Sequence, residues 1–258
     1  MRKSIAVCSS SELHPLRRVF FFFFQIKFNR ILSIWCELIG LIMPKPLVVC
    51  FEGMDGCGKS TLLKYIEASL ARDYPDKHIV AMDIFGNDRE VKGAINSAKE
   101  FNIETLLVLL SATTKTLYKL VPYLIQEGID IVLIDRGRAS FYAYQCMKGE
   151  DTTIFIGLSN YVCDQDVKYK RVPNYVYIKS SIDRCERLMS IRNTKTAMDK
   201  RSKEDKLATQ IGYDLYFDNL ERRGCSEILT IDADRYEINE VNEKAYQLFK
   251  EKFSQYLN

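Results

Sequence analysis

Eight consecutive residues, Gly53-Met54-Asp55-Gly56-Cys57-Gly58-Lys59-Ser60, satisfy the pattern G-x-x-x-x-G-K-[ST], and Thr61 follows them. Glycines in such a loop let backbone N–H groups turn inward around phosphate oxygens, and a helix starting behind them adds its positive end. Lys59 is expected to reach the β- and γ-phosphates of ATP, and Ser60 to offer its hydroxyl to Mg2+. The predicted ATP cradle therefore comprises Gly53, Asp55, Gly56, Cys57, Gly58, Lys59, Ser60 and Thr61.

Two further stretches carry chemistry of the same kind. In IDRGRASFYAYQ, residues 134–145, Asp135 closes an apolar run. At the carboxyl end of a buried parallel strand it would face the same sheet edge as the cradle. A carboxylate there can hold Mg2+ through water, and Arg136 beside it can neutralise phosphate charge with a bidentate grip. In SIRNTKTAMDKRSKEDK, residues 190–206, Arg192, Lys195, Lys200, Arg201, Lys203 and Lys206 crowd one polar segment. Phosphoryl transfer needs positive charge over the moving group and exclusion of water as a rival acceptor, and a mobile basic flap meets both needs. The predicted catalytic set is Lys59, Asp135, Arg136 and, at the junction of helix and flap, Arg192; Ser60 and Asp135 are the predicted metal ligands.

The elements that must position these groups alternate between strand and helix. Short apolar runs at 47–52, 78–84, 129–135, 174–179 and 228–232 predict five strands, and longer periodic segments at 59–72, 104–126, 181–191, 205–221 and 239–255 predict helices. Leu106, Leu107, Leu110, Leu117, Leu120, Leu124 and Ile125 form a core-facing stripe on the second helix, with Pro122 expected to kink it and Gly128 to stop it. Such alternation implies an α/β fold, specifically a P-loop NTPase of three layers (α/β/α) with a five-stranded parallel sheet and a basic lid over 190–206. One domain, 44–258, accounts for these elements.

Composition sets the background. The chain has 258 residues, 47% apolar and 28% charged, the balance of a globular protein with a sizeable core. Its net charge of +3 is local: Arg2, Lys3, Arg17, Arg18, Lys27 and Arg30 face only Glu12 and Glu37 within residues 1–42, leaving 31 basic against 32 acidic side chains in the remainder. A nucleic-acid partner is therefore not expected. Eight cysteines without a C-x-x-C pair, and only two histidines, argue against a zinc site and for reduced thiols in the cytoplasm. Residues 19–43 are strongly apolar, but Lys27, Asn29, Arg30 and Glu37 interrupt them, so no membrane span is expected. Residues 1–42 are expected to be an extension outside the fold, with Met43 the working start; a membrane-surface anchor and a targeting segment are the other readings.

Taken in order, the cradle, the D-R stretch and the flap resemble the thymidylate kinase family of nucleoside monophosphate kinases. FEGMDGCGKST is similar to the family's F-E-G-x-[DE]-x-x-G-K-[ST]-T, IDRGRASFYAYQ to its D-R-[YFH]-x-x-S-x-x-A-Y-Q, and the likeness covers most of 46–250. The resemblance implies transfer of the ATP γ-phosphoryl to dTMP with Mg2+, in a homodimer. It also implies that Asp55 meets the acceptor sugar hydroxyl, Arg136 the acceptor phosphate, and Ser140 and Gln145 the neighbourhood of the base. Gly56 occupies the position where some members carry a catalytic Arg in the cradle, so this sequence resembles the members that carry it in the lid.

Departures lie on the acceptor side. Leu110 stands where the family stacks a Phe on thymine, Thr114 where it has a phosphate-binding Arg, and Gly137 where it has an aromatic ring. No Arg-Glu-Pro or Arg-Phe-Pro motif accompanies DIFGND at 83–88. Phosphorylation of a (deoxy)nucleoside monophosphate is thus carried further than dTMP specificity. The alternative enzyme is a deoxynucleoside kinase, in which Asp83 would serve as the base for a 5′-hydroxyl. A GTPase is disfavoured because NTKT at 193–196 lacks the Asp of N-K-x-D.

Overall fold

A computed structural model describes residues 45–85, 103–145, 153–191, 201–237 and 240–257. The chain divides into Met1–Lys45, of which only Lys45 is described, and Pro46–Asn258, which holds the elements that follow. Five strands, β1 (Leu47–Gly53), β2 (Ile79–Asp83), β3 (Ile131–Asp135), β4 (Asn174–Lys179) and β5 (Ile228–Asp232), pair in the order β2-β3-β1-β4-β5, all parallel. The fold is α/β with an all-parallel sheet.

Parallel neighbours require crossovers, and helices supply them. In chain order these are α1 (Lys59–Asp73), α2 (Ile103–Lys115), α3 (Val121–Gln126), α4 (Arg138–Gln145), α5 (Thr153–Lys168), α6 (Ile182–Ser190), α7 (Lys203–Arg223), α8 (Val241–Lys252) and α9 (Ser254–Leu257). Ile131 to Ile134 of β3 are all at most 1% exposed, so both faces of the sheet are covered. The helices pack as two groups, α1 with α8, and α4 with α2, α5 and α7. α1 buries Leu62, Leu63, Ile66 and Leu70, positions that share one side of a 3.6-residue helix. α7 lays Tyr213, Tyr216, Phe217 and Leu220 on β4, where the Phe217 and Tyr177 rings stack at 4.5 Å. α8 closes the group at α1 with Phe249 beside Phe51 of β1.

The expected strands fall within two residues of the observed ones. The long helix of 104–126 is instead three segments, because Pro122 offers no N–H to the ladder. A π-helical turn, Thr116–Leu120, absorbs the mismatch, with the Val121 N–H reaching back to the Thr116 carbonyl. α4 and α5 have no counterpart in the sequence-derived elements: α4 is short, and α5 mixes polar and apolar residues without a clean stripe. Within the expected flap, Lys203 and Lys206 lie in the first turn of α7, behind the Ser202 cap, and pair with Asp183 and Glu186 of α6. Residues 192–200 lie outside the described residues.

α2, α4 and α5 are joined by a buried ion pair, Arg138 Nε to Asp166 Oδ2 at 2.9 Å, with both side chains under 5% exposed. The same guanidinium donates to the Thr113 and Thr114 hydroxyls at 2.6 and 2.8 Å. Among the described residues no helix is long and apolar enough to cross a membrane.

Candidate functional site

Register brings the carboxyl ends of three strands to one level. Phe51 of β1 is opposite Asp135 of β3, and Asp135 is opposite Asp83 of β2. The glycine-rich loop leaves β1 at this edge and turns into α1 through Gly58, whose φ of +93° makes it a left-handed N-cap. Gly56, at φ +84°, lies against α6: a Cβ there would sit 2.6 Å from the Cys185 carbonyl oxygen. Neither an arginine nor any other side chain fits at 56 without moving α6.

Behind the loop, the Lys59 side chain is buried with its Nζ 3.5 Å from the Met54 carbonyl. Ser60 Oγ donates to Asp135 Oδ2 at 2.7 Å, linking the start of α1 to the end of β3. The other carboxylate oxygen, Asp135 Oδ1, is buried and has no hydrogen-bond partner among the described residues. A buried acceptor of this kind is costly unless something else satisfies it. A hydroxyl and a carboxylate oxygen beside the glycine-rich loop are hard oxygen donors suited to Mg2+, so these two residues fit that ion.

Arg136 follows Asp135 at φ +75°, a backbone state uncommon outside glycine. Its N–H bonds to the Phe51 carbonyl at 2.9 Å, and its side chain turns toward the loop. There the guanidinium pairs with Asp55 and donates to Ser140 Oγ at 3.2 Å and Tyr213 OH at 3.3 Å. Asp55 also takes Arg201 Nη2 at 2.5 Å and the Tyr144 hydroxyl at 2.9 Å. Both arginines lie over the Tyr144 ring, at 5.6 and 5.1 Å from its centre. Burial alone would raise the Asp55 carboxyl, but the charges of Arg136, Arg201 and Lys59 outweigh it and hold it well below the usual carboxylate range. Burial pushes Tyr144 up to about 12, so its hydroxyl stays a neutral donor.

Beneath this layer, Glu52 is fully buried and takes Ser140 twice, from the backbone N–H at 3.2 Å and from the hydroxyl at 2.6 Å. Burial raises the Glu52 pKa despite those bonds and the nearby Arg136 and Lys59. Ser140 is itself fully buried, with its hydroxyl shared among Glu52, Tyr213 and Arg136. In this arrangement it holds the floor of the site. A Cβ at Gly137 would lie 3.0 Å from Cys50 Sγ and 3.2 Å from Glu52 Oε1, so the same floor leaves little room for a ring at 137. The Thr114 hydroxyl is engaged by Arg138 and by the Leu110 carbonyl.

The loop residues Gly53, Asp55, Gly56, Cys57, Gly58, Lys59, Ser60 and Thr61 are thus gathered with Asp135, Arg136 and Ser140 at one sheet edge. Arg192 lies outside the described residues, and Gln145 closes α4 with its side chain outside them too. Sequence reasoning missed that Arg201 of the basic segment touches the loop, and it missed Tyr144. The reading of the six-cation run singled out Arg192 at the junction of helix and flap, and nothing in spacing says that Arg201 packs on Asp55. It also missed Arg184, which with Cys57, Gly58, Thr61, Leu188 and Asn242 lines a cavity of about 360 Å³ between the loop, α6 and α8. No known protein-family model matches this sequence.

Proposed function

We propose that this chain is a nucleotide kinase of the thymidylate kinase type, transferring the γ-phosphoryl of ATP to a (deoxy)nucleoside monophosphate, with dTMP the first candidate, as a cytoplasmic homodimer. The observation that carries the reading is the Ser60–Asp135 pair beside Lys59, with one buried carboxylate oxygen that has no partner among the described residues. Ser60 and Asp135 would hold Mg2+, which when bound screens phosphate charge and orients the transferring group.

Each remaining role follows from chemistry at a named atom. The N–H groups of the loop and the start of α1 bind phosphate oxygens, and Lys59 Nζ supplies positive charge that grows in value as charge shifts toward the leaving oxygen. The cavity lined by Gly58, Thr61 and Arg184 is of a size for the donor's base and sugar. Arg136 and Arg201 place two guanidinium groups around Asp55, where an acceptor phosphate and its sugar hydroxyl would exchange with existing ion pairs. An already ionised acceptor phosphate needs no general base, in keeping with a monophosphate acceptor.

The alternative is a deoxynucleoside kinase with Asp83 as base, favoured only by the position of Asp83 next to Asp135 at the same edge. ATP consumption measured against dTMP, dUMP, other monophosphates and thymidine separates the two. Turnover with a monophosphate is expected; turnover confined to unphosphorylated nucleosides would overturn the proposal in favour of the alternative.

A further inference from the structure

α7 carries apolar side chains on both of its faces. Tyr213, Tyr216, Phe217 and Leu220 are buried on the side that meets β4, whereas Leu207, Ile211 and Leu215 are about half exposed, at 51, 48 and 49%. A helix covered on one side only keeps polar residues on the other, and one that is apolar all round is a helix buried all round. Steps of four residues set Leu207, Ile211 and Leu215 one above the next as a continuous ridge.

Opposite charges close the two ends of that ridge. Glu204 in the first turn and Arg222 in the last are both exposed. At about 100° per residue, positions 204, 211, 215, 218 and 222 fall within an arc of roughly 60°, so both charges stand in line with Ile211. Arg222 Nε donates to the Asp218 carbonyl at 3.1 Å, and neither Glu204 nor Arg222 has an ion pair among the described residues. The face therefore runs from acid through three apolar side chains to base, a pattern that complements itself when turned end for end. Parallel pairing would set like charges against each other at both ends. An antiparallel pair centred on Ile211 would oppose Glu204 to Asp218 of the partner subunit. Centred on Tyr213, the same pairing opposes Glu204 to Arg222 of the partner subunit and Ile211 to Leu215 of the partner subunit.

We infer that this exposed face of α7 is the surface on which two copies of the chain associate, with their α7 helices antiparallel about a two-fold axis at Tyr213. Such an interface is isologous: each copy supplies the same patch, and every contact occurs twice. Burial of the ridge supplies the affinity, and the end charges fix direction and register. The inference deepens the homodimer part of the proposed function and rests on it, and it holds whichever nucleotide is bound.

The test measures the mass of the full-length native protein and its variants by sedimentation over a concentration series. The parent is expected to be a dimer at micromolar concentration. I211E places a charge in the centre of the ridge and should raise the dissociation constant about 100-fold. E204R and R222E should each raise it about tenfold, and E204R/R222E should return it to within about threefold of the parent. That rescue is read in assembly, so a loss of fold in any single variant does not imitate it. A monomeric parent overturns the surface together with the homodimer. A dimer indifferent to I211E overturns the surface and leaves the homodimer standing. Single reversals that weaken the dimer without rescue in the double variant overturn the antiparallel pairing and the inference with it.

Discussion

Asp55 joins more charged partners than any other carboxylate around the loop, and its substitution has consequences at two levels. Asp55→Asn leaves Arg136 and Arg201 beside Lys59 without their shared anion, and should cost about 3 kcal/mol at neutral pH by denaturant unfolding. The Asp55 pKa is lower folded than unfolded, so its contribution is fully present above the unfolded value of roughly 4 and is lost as pH falls below it. The stability gap between the parent and Asp55→Asn should therefore be flat above about pH 5 and narrow on acidification; a gap that widens there contradicts the assigned charge pattern. Asp135→Asn weakens a ligand without emptying the site, and should raise the Mg2+ concentration for half-maximal activity roughly 10- to 100-fold in a titration. Lys59→Ala should reduce turnover by a factor of about 100 to 1,000 while thermal unfolding changes little, and normal turnover would mean that the loop is misassigned.

Helices pack on the site closely enough that a single methyl group tests the contact. Gly56→Ala drives a Cβ toward the Cys185 carbonyl of α6 at a positive φ, and should destabilise by about 2 kcal/mol or more, with weaker nucleotide binding. Gly157→Ala is the counterpart on α5: a Cβ there meets nothing within 4 Å, and a helix-interior glycine replaced by alanine should gain up to about 1 kcal/mol. Thermal unfolding of the two variants should move in opposite directions. Arg138→Ala strands Asp166 in the buried junction of α2, α4 and α5, and should cost about 3–5 kcal/mol. These contacts also mark where the sequence falls silent. Gly56 is legible as a loop glycine, but its carbonyl neighbour is 129 positions away in the chain. Arg138 reads as one more charge after Gly137 until α5 brings Asp166 against it.

Across the molecule, the described strands and helices all fall within Pro46–Asn258. The sequence reading of residues 1–42 as an extension outside the fold predicts that a chain beginning at Met43 keeps the thermal midpoint and ATP-analogue affinity of the full-length protein; a fall of many degrees would overturn that reading. Local chemistry made five strands, the glycine-rich loop, α1 and the Asp135–Arg136 dipeptide readable in advance, because apolar runs, glycine spacing and caps act between residues near in sequence. The order β2-β3-β1-β4-β5 was not readable, since strand pairing is settled by how helices crossing the sheet bury both its faces. Nor was the contact of Arg201 with Asp55, the burial of Ser140 under Glu52, or the meeting of Cys57 and Arg184 in one cavity. Each of these joins side chains far apart in sequence, and their partnership is fixed by packing and by the cost of burying a polar group alone, which exists only once the chain has closed around it.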